Sequence, residues 1–363
     1  MRLALAAGGT GGHMFPAQAL AEEAKSRGWQ VLLLTDARGL RYADEFPRDR
    51  LAELKAASPS GKGFLTRTRV ALTLLSGISR AGNALRAFDA DAVIGFGGYP
   101  SAPAMIAAQR RKIATGIHEQ NAIVGRANRL ASARAGFLAH GFPVLKREPR
   151  LVPIREVGNP VRRAVLEAAE IPYSPPGAGP IRLLVFGGSQ GASLFARTFA
   201  PAVAALPDEL RLRLEVTHQV SEQDHAATEE IYRSAGVTAE LGAFFADLPQ
   251  RIAGSHLVIS RSGASTVSEL SVIGRPALLV PLKIAMDDHQ RFNAEVLTDV
   301  DAARLILEDD LTAERATEAL TSLLLDNERL TRMAAAAKGR MAPGAAAALA
   351  DLTEELVAGK LAR

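Results

Sequence analysis

The segments Gly8-Gly-Thr-Gly-Gly-His13 and Gly187-Gly-Ser-Gln-Gly191 repeat one design 179 residues apart. Each follows a short apolar run, at 3–7 and 182–186, and each precedes a helical pattern. Such a loop of small residues, leading from a buried strand into a helix, exposes free backbone N–H groups where the helix dipole is positive. That is a ready seat for phosphate. A chain that does this twice is constrained to two doubly wound α/β domains facing a shared cleft.

Length and composition agree with two domains. The chain has 363 residues, 48% of them hydrophobic, enough for two cores. It has no cysteine, so disulfides and thiolate metal sites are excluded. The first apolar run is too short for a signal peptide, and no stretch reaches the roughly 18 apolar residues of a membrane span. A cytoplasmic protein, soluble or bound to a membrane surface, is therefore expected.

The net charge of +4 conceals an asymmetry. Residues 1–160 carry 23 Lys/Arg against 12 Asp/Glu, whereas 161–363 carry 20 against 27. Six basic residues and no acid lie between Glu53 and Asp89, and five and none between Glu119 and Glu148. Such a division marks a half that meets an anionic partner: nucleic acid, anionic lipid or a pyrophosphate substrate. Aromatic residues make up only 5%, which disfavours stacking on nucleic acid, so none is expected as a partner.

Along the chain, a helix from 16 to 27 and strands at 31–35, 92–96, 113–117 and 136–139 continue the first domain, predicted to span 1–160. A Pro/Gly-rich stretch at 171–180 reads as the connection. Strands near 182–186, 212–217, 237–241, 256–260, 277–281 and 303–307 build the second, predicted to span 161–340. The helical pattern at 345–361 is expected to pack back on the first domain.

The loops carry the chemistry. Gly9-Thr-Gly11 begins a dinucleotide fingerprint and Asp36 follows the second strand, but Met14 occupies the third glycine position, so the fingerprint fails. No Gly-Lys-Ser/Thr supports a Walker loop. His13 closes the first Gly loop and suits general-base work on a hydroxyl; the plain alternative is a histidine at a helix start. Gly95-Phe-Gly-Gly-Tyr-Pro-Ser101 is a third backbone-rich turn. His118-Glu-Gln-Asn121 places four polar side chains at a strand's carboxyl end, where ligands of open α/β sheets bind. Ser260-Arg-Ser-Gly-Ala-Ser-Thr-Val-Ser-Glu269 offers a carboxylate for ribose hydroxyls, and Asp287-Asp-His-Gln-Arg-Phe-Asn293 offers Gln290 for a sugar. Asp299-Val-Asp301 has the outline of a cation-binding DxD but reads better as a turn, and no metal site is predicted.

As an ordered set, these segments, with Gly158-Asn-Pro-Val-Arg162, resemble the MurG glycosyltransferases over residues 1 to about 300. The resemblance implies a GT-B fold: two Rossmann-like domains with a cleft between them. It implies inverting transfer of N-acetylglucosamine from UDP-GlcNAc, a substrate, to the C4 hydroxyl of lipid I, giving lipid II for peptidoglycan, with no cofactor required. By that resemblance the second domain holds the donor. Ser189 and Gln190 face the diphosphate, Phe245 presents backbone to uracil, Ala264, Ser265, Thr266 and Glu269 line the nucleotide, and Gln290 contacts the sugar. Thr10, Gly11, Gly12, Asn121 and Arg162 complete the donor site. Gly97, Gly98, Tyr99 and His118 lie near the acceptor. His13 is the candidate base and Glu119 the second choice.

The segment from Lys62 to Ser76 alternates Phe64, Leu65, Val70, Leu72, Leu74 and Leu75 with cations, and Arg110-Arg-Lys112 adds charge. This suits an anionic leaflet, so a peripheral location on the cytoplasmic face of the inner membrane is expected; the plain alternative is a core helix with a solvated face. Val124, Lys283 and Phe245 depart from the residues usual in the family. The competing readings are a related transferase with another lipid or natural-product acceptor, and a non-catalytic sugar-nucleotide-binding protein.

Overall fold

A computed structural model describes residues 1–43, 46–54, 64–188 and 192–361, without the side chains of 64–71 and 286. The chain forms two compact units: Met1–Arg163 with the segment from Ala342 onward, and Ala164–Met341.

The first unit is built on a seven-stranded parallel sheet. Its strands are β1 (Arg2–Ala6), β2 (Gln30–Thr35), β3 (Arg50–Glu53), β4 (Ala92–Gly95), β5 (Ala114–Glu119), β6 (Phe137–His140) and β7 (Ile154–Glu156), in the order β3-β2-β1-β4-β5-β6-β7. Helices cover both faces, so the central strands are apolar throughout rather than alternating. Leu3 and Leu5 of β1 point into one core with Leu20, Val31 and Phe137, while Ala4 and Ala6 point into the other with Leu32, Val93 and Leu138. The late helix Ala345–Val357 adds Leu349 and Ala350 to the first of these cores. Leu356 covers Gly136 so closely that a Cβ there would stand 2.3 Å from its Cδ1.

The second unit has six parallel strands: β8 (Ile181–Phe186), β9 (Leu214–Gln219), β10 (Thr238–Gly242), β11 (Leu257–Ser260), β12 (Ala277–Leu279) and β13 (Ala303–Leu305). Their order, β10-β9-β8-β11-β12-β13, repeats that of the first unit. In both sheets the order reverses beside the first strand, between β1 and β4 and between β8 and β11. That reversal is the switch point where open α/β sheets bind ligands.

Three expectations need correction. The first helix spans Gly11–Ser26, not 16–27, so it includes two loop glycines and His13. Thr10 is extended at the N-cap and its carbonyl accepts from the N–H groups of His13 and Met14, so the helix is under way before Pro16. Strand β5 runs on through His118 and Glu119, which pair with Ala139 and His140, because burial on a central strand outweighs their polarity. The stretch 171–180 belongs to the second unit. Buried Arg275 donates to the carbonyl of Ile171 (2.9 Å), and the Tyr173 hydroxyl donates to that of His256 (3.1 Å). Strands β3 and β7 escaped the sequence reading because they are short, largely exposed edges without an apolar run.

Candidate active site

In the first unit two Gly-rich turns meet at the switch point. After β1 the chain turns at Gly9, with φ of +87°, into Thr10 and the Gly11–Ser26 helix. Gly8 admits no side chain, since a Cβ would stand 2.4 Å from Pro100 Cγ and 2.8 Å from Asp36 Oδ1. Asp36 accepts the N–H groups of Gly9 and Gly39, each at 3.0 Å, and the Arg38 guanidinium. The acid that sits where a dinucleotide fold keeps its ribose partner thus fastens the loop instead.

His13 lies in the first turn of that helix, half-buried, with Nδ1 3.0 Å from Gln120 Oε1. Across from it, Gly97 and Gly98 take φ of +87° and +76°. A Cβ on either would lie 3.3 Å from an imidazole carbon, Cε1 from Gly97 and Cδ2 from Gly98, so their bareness leaves room at the Nε2 edge of the ring. Among the described residues Nε2 has no hydrogen-bond partner. Tyr99 follows, half-buried, before the Ser101–Arg110 helix.

The residues 118–121 divide into separate tasks. His118 is fully buried; its Nε2 is 2.9 Å from the Gly158 carbonyl and its Nδ1 3.0 Å from Gln120 Nε2. Burial pushes its pKa down to about 4, so the ring is neutral. Expected at the acceptor, His118 instead has both nitrogens occupied inside the protein. Glu119 is also buried, and its oxygens accept four donors: Oε1 from the backbone N and Nδ2 of Asn121, Oε2 from Gly125 N and Asn128 Nδ2, at 2.8–3.1 Å. A carboxylate has about four lone-pair sites, so this one is filled. As second choice for the base it is displaced: it shapes the loop, and Asn121 is held through it. The Arg162 guanidinium stacks 4.0 Å over the Phe15 ring, beside Gly11.

Two further residues were not singled out from the sequence. Asn128 Nδ2 donates to Glu119 Oε2 at 2.8 Å and lies close to bare Gly97, and Asn159 Nδ2 donates to the Gln120 carbonyl at 2.9 Å. A lone Asn on an otherwise ordinary helix carries no local signal. Asn159 sits in the quoted Gly158-Asn-Pro motif, and the fit of its amide against Gly141, where no Cβ could stand, is a tertiary fact.

In the second unit, Gly188 has φ of +63° and donates its N–H to Gln219 Oε1 at the end of β9. Ser189 and Gln190 lie outside the described residues. After β11, Arg261 donates to the carbonyls of Val280 and Pro281 and pairs with Glu308 at 2.6 Å, tying three loop ends together. Ser262 Oγ donates to the Gln290 carbonyl, while Gln290 Oε1 accepts from Leu282 N (2.9 Å), leaving its amide nitrogen as the group that can donate to a ligand. The Ala264–Ile273 helix opens here with Ala264 buried and Thr266 half-buried; Ser265 Oγ is buried with no hydrogen-bond partner among the described residues. Glu269 is buried one turn further in. Phe245 is half-buried under the Arg251 guanidinium, 4.3 Å from its ring, which fixes the backbone there. Asp299 caps the His289–Thr298 helix and Asp301 forms the turn into β13 with φ of +55°.

Comparison with known proteins follows this layout. Residues 3–137 match the glycosyltransferase family 28 N-terminal domain and residues 182–352 the family's C-terminal domain. The class is therefore a glycosyltransferase of the GT-B fold. The chain is 46% identical to the UDP-N-acetylglucosamine–N-acetylmuramyl-(pentapeptide) pyrophosphoryl-undecaprenol N-acetylglucosamine transferase of Caulobacter vibrioides, covering 97% of this chain and 98% of the relative. It is 44% identical to the enzyme of the same name from Maricaulis maris, covering 99% of each. The crystal structure of Acinetobacter baumannii MurG matches with a TM-score of 0.77 at 29% identity, over 98% of this chain and 99% of that one. A kitacinnamycin glycosyltransferase shares the fold, with a TM-score of 0.73 at 18% identity over 98% and 99%. The chain belongs to glycosyltransferase family 28, within its MurG family.

Proposed function

We propose that the protein transfers N-acetylglucosamine from UDP-GlcNAc to the C4 hydroxyl of lipid I, with inversion, giving lipid II. The carrying observation is His13: a half-buried imidazole at a Gly-rich helix start, with Nδ1 engaged and Nε2 open beside two bare glycines. In this reading the acceptor O–H gives its proton to His13 Nε2 as its oxygen bonds to the anomeric carbon. The bond from that carbon to the diphosphate breaks, and UDP leaves with the electron pair. Helix N-termini and aligned N–H groups stabilise the departing diphosphate, so the reading needs no metal.

The second unit is read as the donor site. Among the described residues the buried hydroxyl of Ser265 has no partner and the amide nitrogen of Gln290 none, which suits polar groups of a nucleotide and a sugar hydroxyl, and the Glu269 carboxylate, on the same helix, is assigned to the ribose. Arg162, Asn121 and the 10–12 backbone are assigned to the donor from the first unit, and Gly97, Gly98 and Tyr99 to the acceptor.

A peripheral location on the cytoplasmic face of the plasma membrane, and with it a part in cell-wall growth and division, belongs to the same reading. It is supported by the basic first half and by Leu72 and Leu75, 68% and 55% exposed on the Phe64–Phe88 helix. Lys62 and the side chains of Phe64, Leu65 and Val70 lie outside the description. Among the described residues no helix is long and apolar enough to cross a membrane.

The test is radiolabel transfer from UDP-GlcNAc to a short-chain lipid I analogue with EDTA present. Transfer that persists in EDTA and is lost in His13→Ala supports the reading. A wild type that binds UDP-GlcNAc but does not glycosylate the analogue shifts the assignment to another acceptor.

A further inference from the structure

Among the described residues, Gln120 and His118 form a continuous chain of polar contacts that ends on the inner nitrogen of His13. His118 Nε2 faces the Gly158 carbonyl at 2.9 Å; Gln120 Nε2 faces both the His118 carbonyl (2.8 Å) and His118 Nδ1 (3.0 Å); Gln120 Oε1 faces His13 Nδ1 (3.0 Å). Each contact has one donor and one acceptor, and one end of the chain has no choice. A carbonyl only accepts, so His118 Nε2 carries the proton. A fully buried imidazole with no anion at either nitrogen is neutral, so His118 Nδ1 holds a lone pair. The Gln120 amide nitrogen then has two acceptors for its two protons, which fixes the amide orientation and turns its oxygen toward His13. That oxygen requires a donor, and His13 Nδ1 is the atom it meets.

We propose that Gln120, oriented by His118 and Gly158, is a positioning residue that holds neutral His13 in the Nδ1–H tautomer and so keeps the Nε2 lone pair exposed. The proposal rests on His13 as the base and explains how that base is kept ready. A histidine left to itself divides between two tautomers, and the partner of one nitrogen decides which is populated. Here the partner is a neutral amide rather than a carboxylate. The nearest acid in sequence, Glu119, is consumed by Asn121, Gly125 and Asn128 and plays no part. Asn159 secures the relay by donating to the Gln120 carbonyl at 2.9 Å.

The chain also explains why two buried polar residues with no access to a ligand stand behind the loop. They transmit the fixed polarity of one backbone carbonyl to a ring three residues into a helix. Replacing Gln120 by Met keeps the length and removes the acceptor.

The experiment is long-range proton–nitrogen NMR on full-length, histidine-labelled protein, with His13→Ala used to assign the ring. In the wild type, His13 is expected to show a protonated Nδ1 and an unprotonated Nε2. In Gln120→Met its signals move to the averaged values of a mixed population and kcat falls about tenfold, with KM for UDP-GlcNAc within twofold. A wild-type His13 protonated at Nε2, or ring signals unmoved by Gln120→Met, overturns the proposal without any need for an activity assay. Loss or retention of transfer in His13→Ala bears separately on the base, so the two readings fail independently.

Discussion

The two units share a strand order and a switch point, yet they fill it differently. In the first unit, the helix after β1 carries an imidazole with one open nitrogen, and buried polar groups behind it are paired in series. In the second, the corresponding loops present hydroxyls, an amide and a carboxylate, and Arg261 spends its charge tying loop ends together. In the proposed reading one topology serves proton transfer in one copy and ligand holding in the other. Charge follows the same division: the half up to residue 160 is basic, the remainder acidic.

The largest expected effect lies in the first unit. His13→Ala is expected to lower the transfer rate by about 10²–10⁴-fold, the usual contribution of a positioned base, while UDP-GlcNAc affinity changes little. Isothermal calorimetry beside the transfer assay separates the two quantities. Next is the buried carboxylate. Glu119→Gln turns an NH₂ toward two of four donors and is expected to cost about 3 kcal/mol of first-unit stability. Urea unfolding read by Trp29, which is buried in that unit, measures it. An unchanged midpoint would remove Glu119 from its assigned place.

The second unit should respond in the opposite sense. Glu269→Ala is expected to weaken UDP-GlcNAc about tenfold, roughly 1.4 kcal/mol, and to leave the rate at saturating donor near wild type. Ser265→Ala removes a hydroxyl that has no partner among the described residues, so stability without donor should hold or rise by about 1 kcal/mol, while donor affinity falls. A thermal scan with and without UDP-GlcNAc shows both.

Acid should act on the two units alike. His118 in the first and His218 in the second are buried with pKa pushed down by burial to about 4 and about 3. The unfolded chain binds protons near pH 6.5 and the folded one does not, so stability is full above that pH and declines as pH falls toward 4. A stability profile that stays flat from pH 7 to pH 4 contradicts the burial of both rings.

Much of this was legible in the sequence because glycine spacing and apolar runs are local. The two loops, the central strands and the set 118–121 could all be located that way. The division of labour within that set could not, because it depends on contacts across the sheet. Glu119 and His118 read as ligand groups until Asn128, Gly125 and Gly158 are seen to occupy them. Edge strands β3 and β7 lack the buried pattern that makes β1 obvious. The start of the first helix is hidden because Pro16 looks like a first-turn proline, whereas Thr10 already begins the turn.

In the proposed reading chemistry resides in the first unit's loop and donor affinity in the second's. Its most direct test is the single-turnover rate of His13→Ala at saturating UDP-GlcNAc, measured with donor affinity in the same preparation. If His13 is the base, the rate falls at least about a hundredfold while Kd stays within twofold of wild type. A near-normal rate accompanied by a large loss of donor affinity would contradict it and make His13 a binding residue.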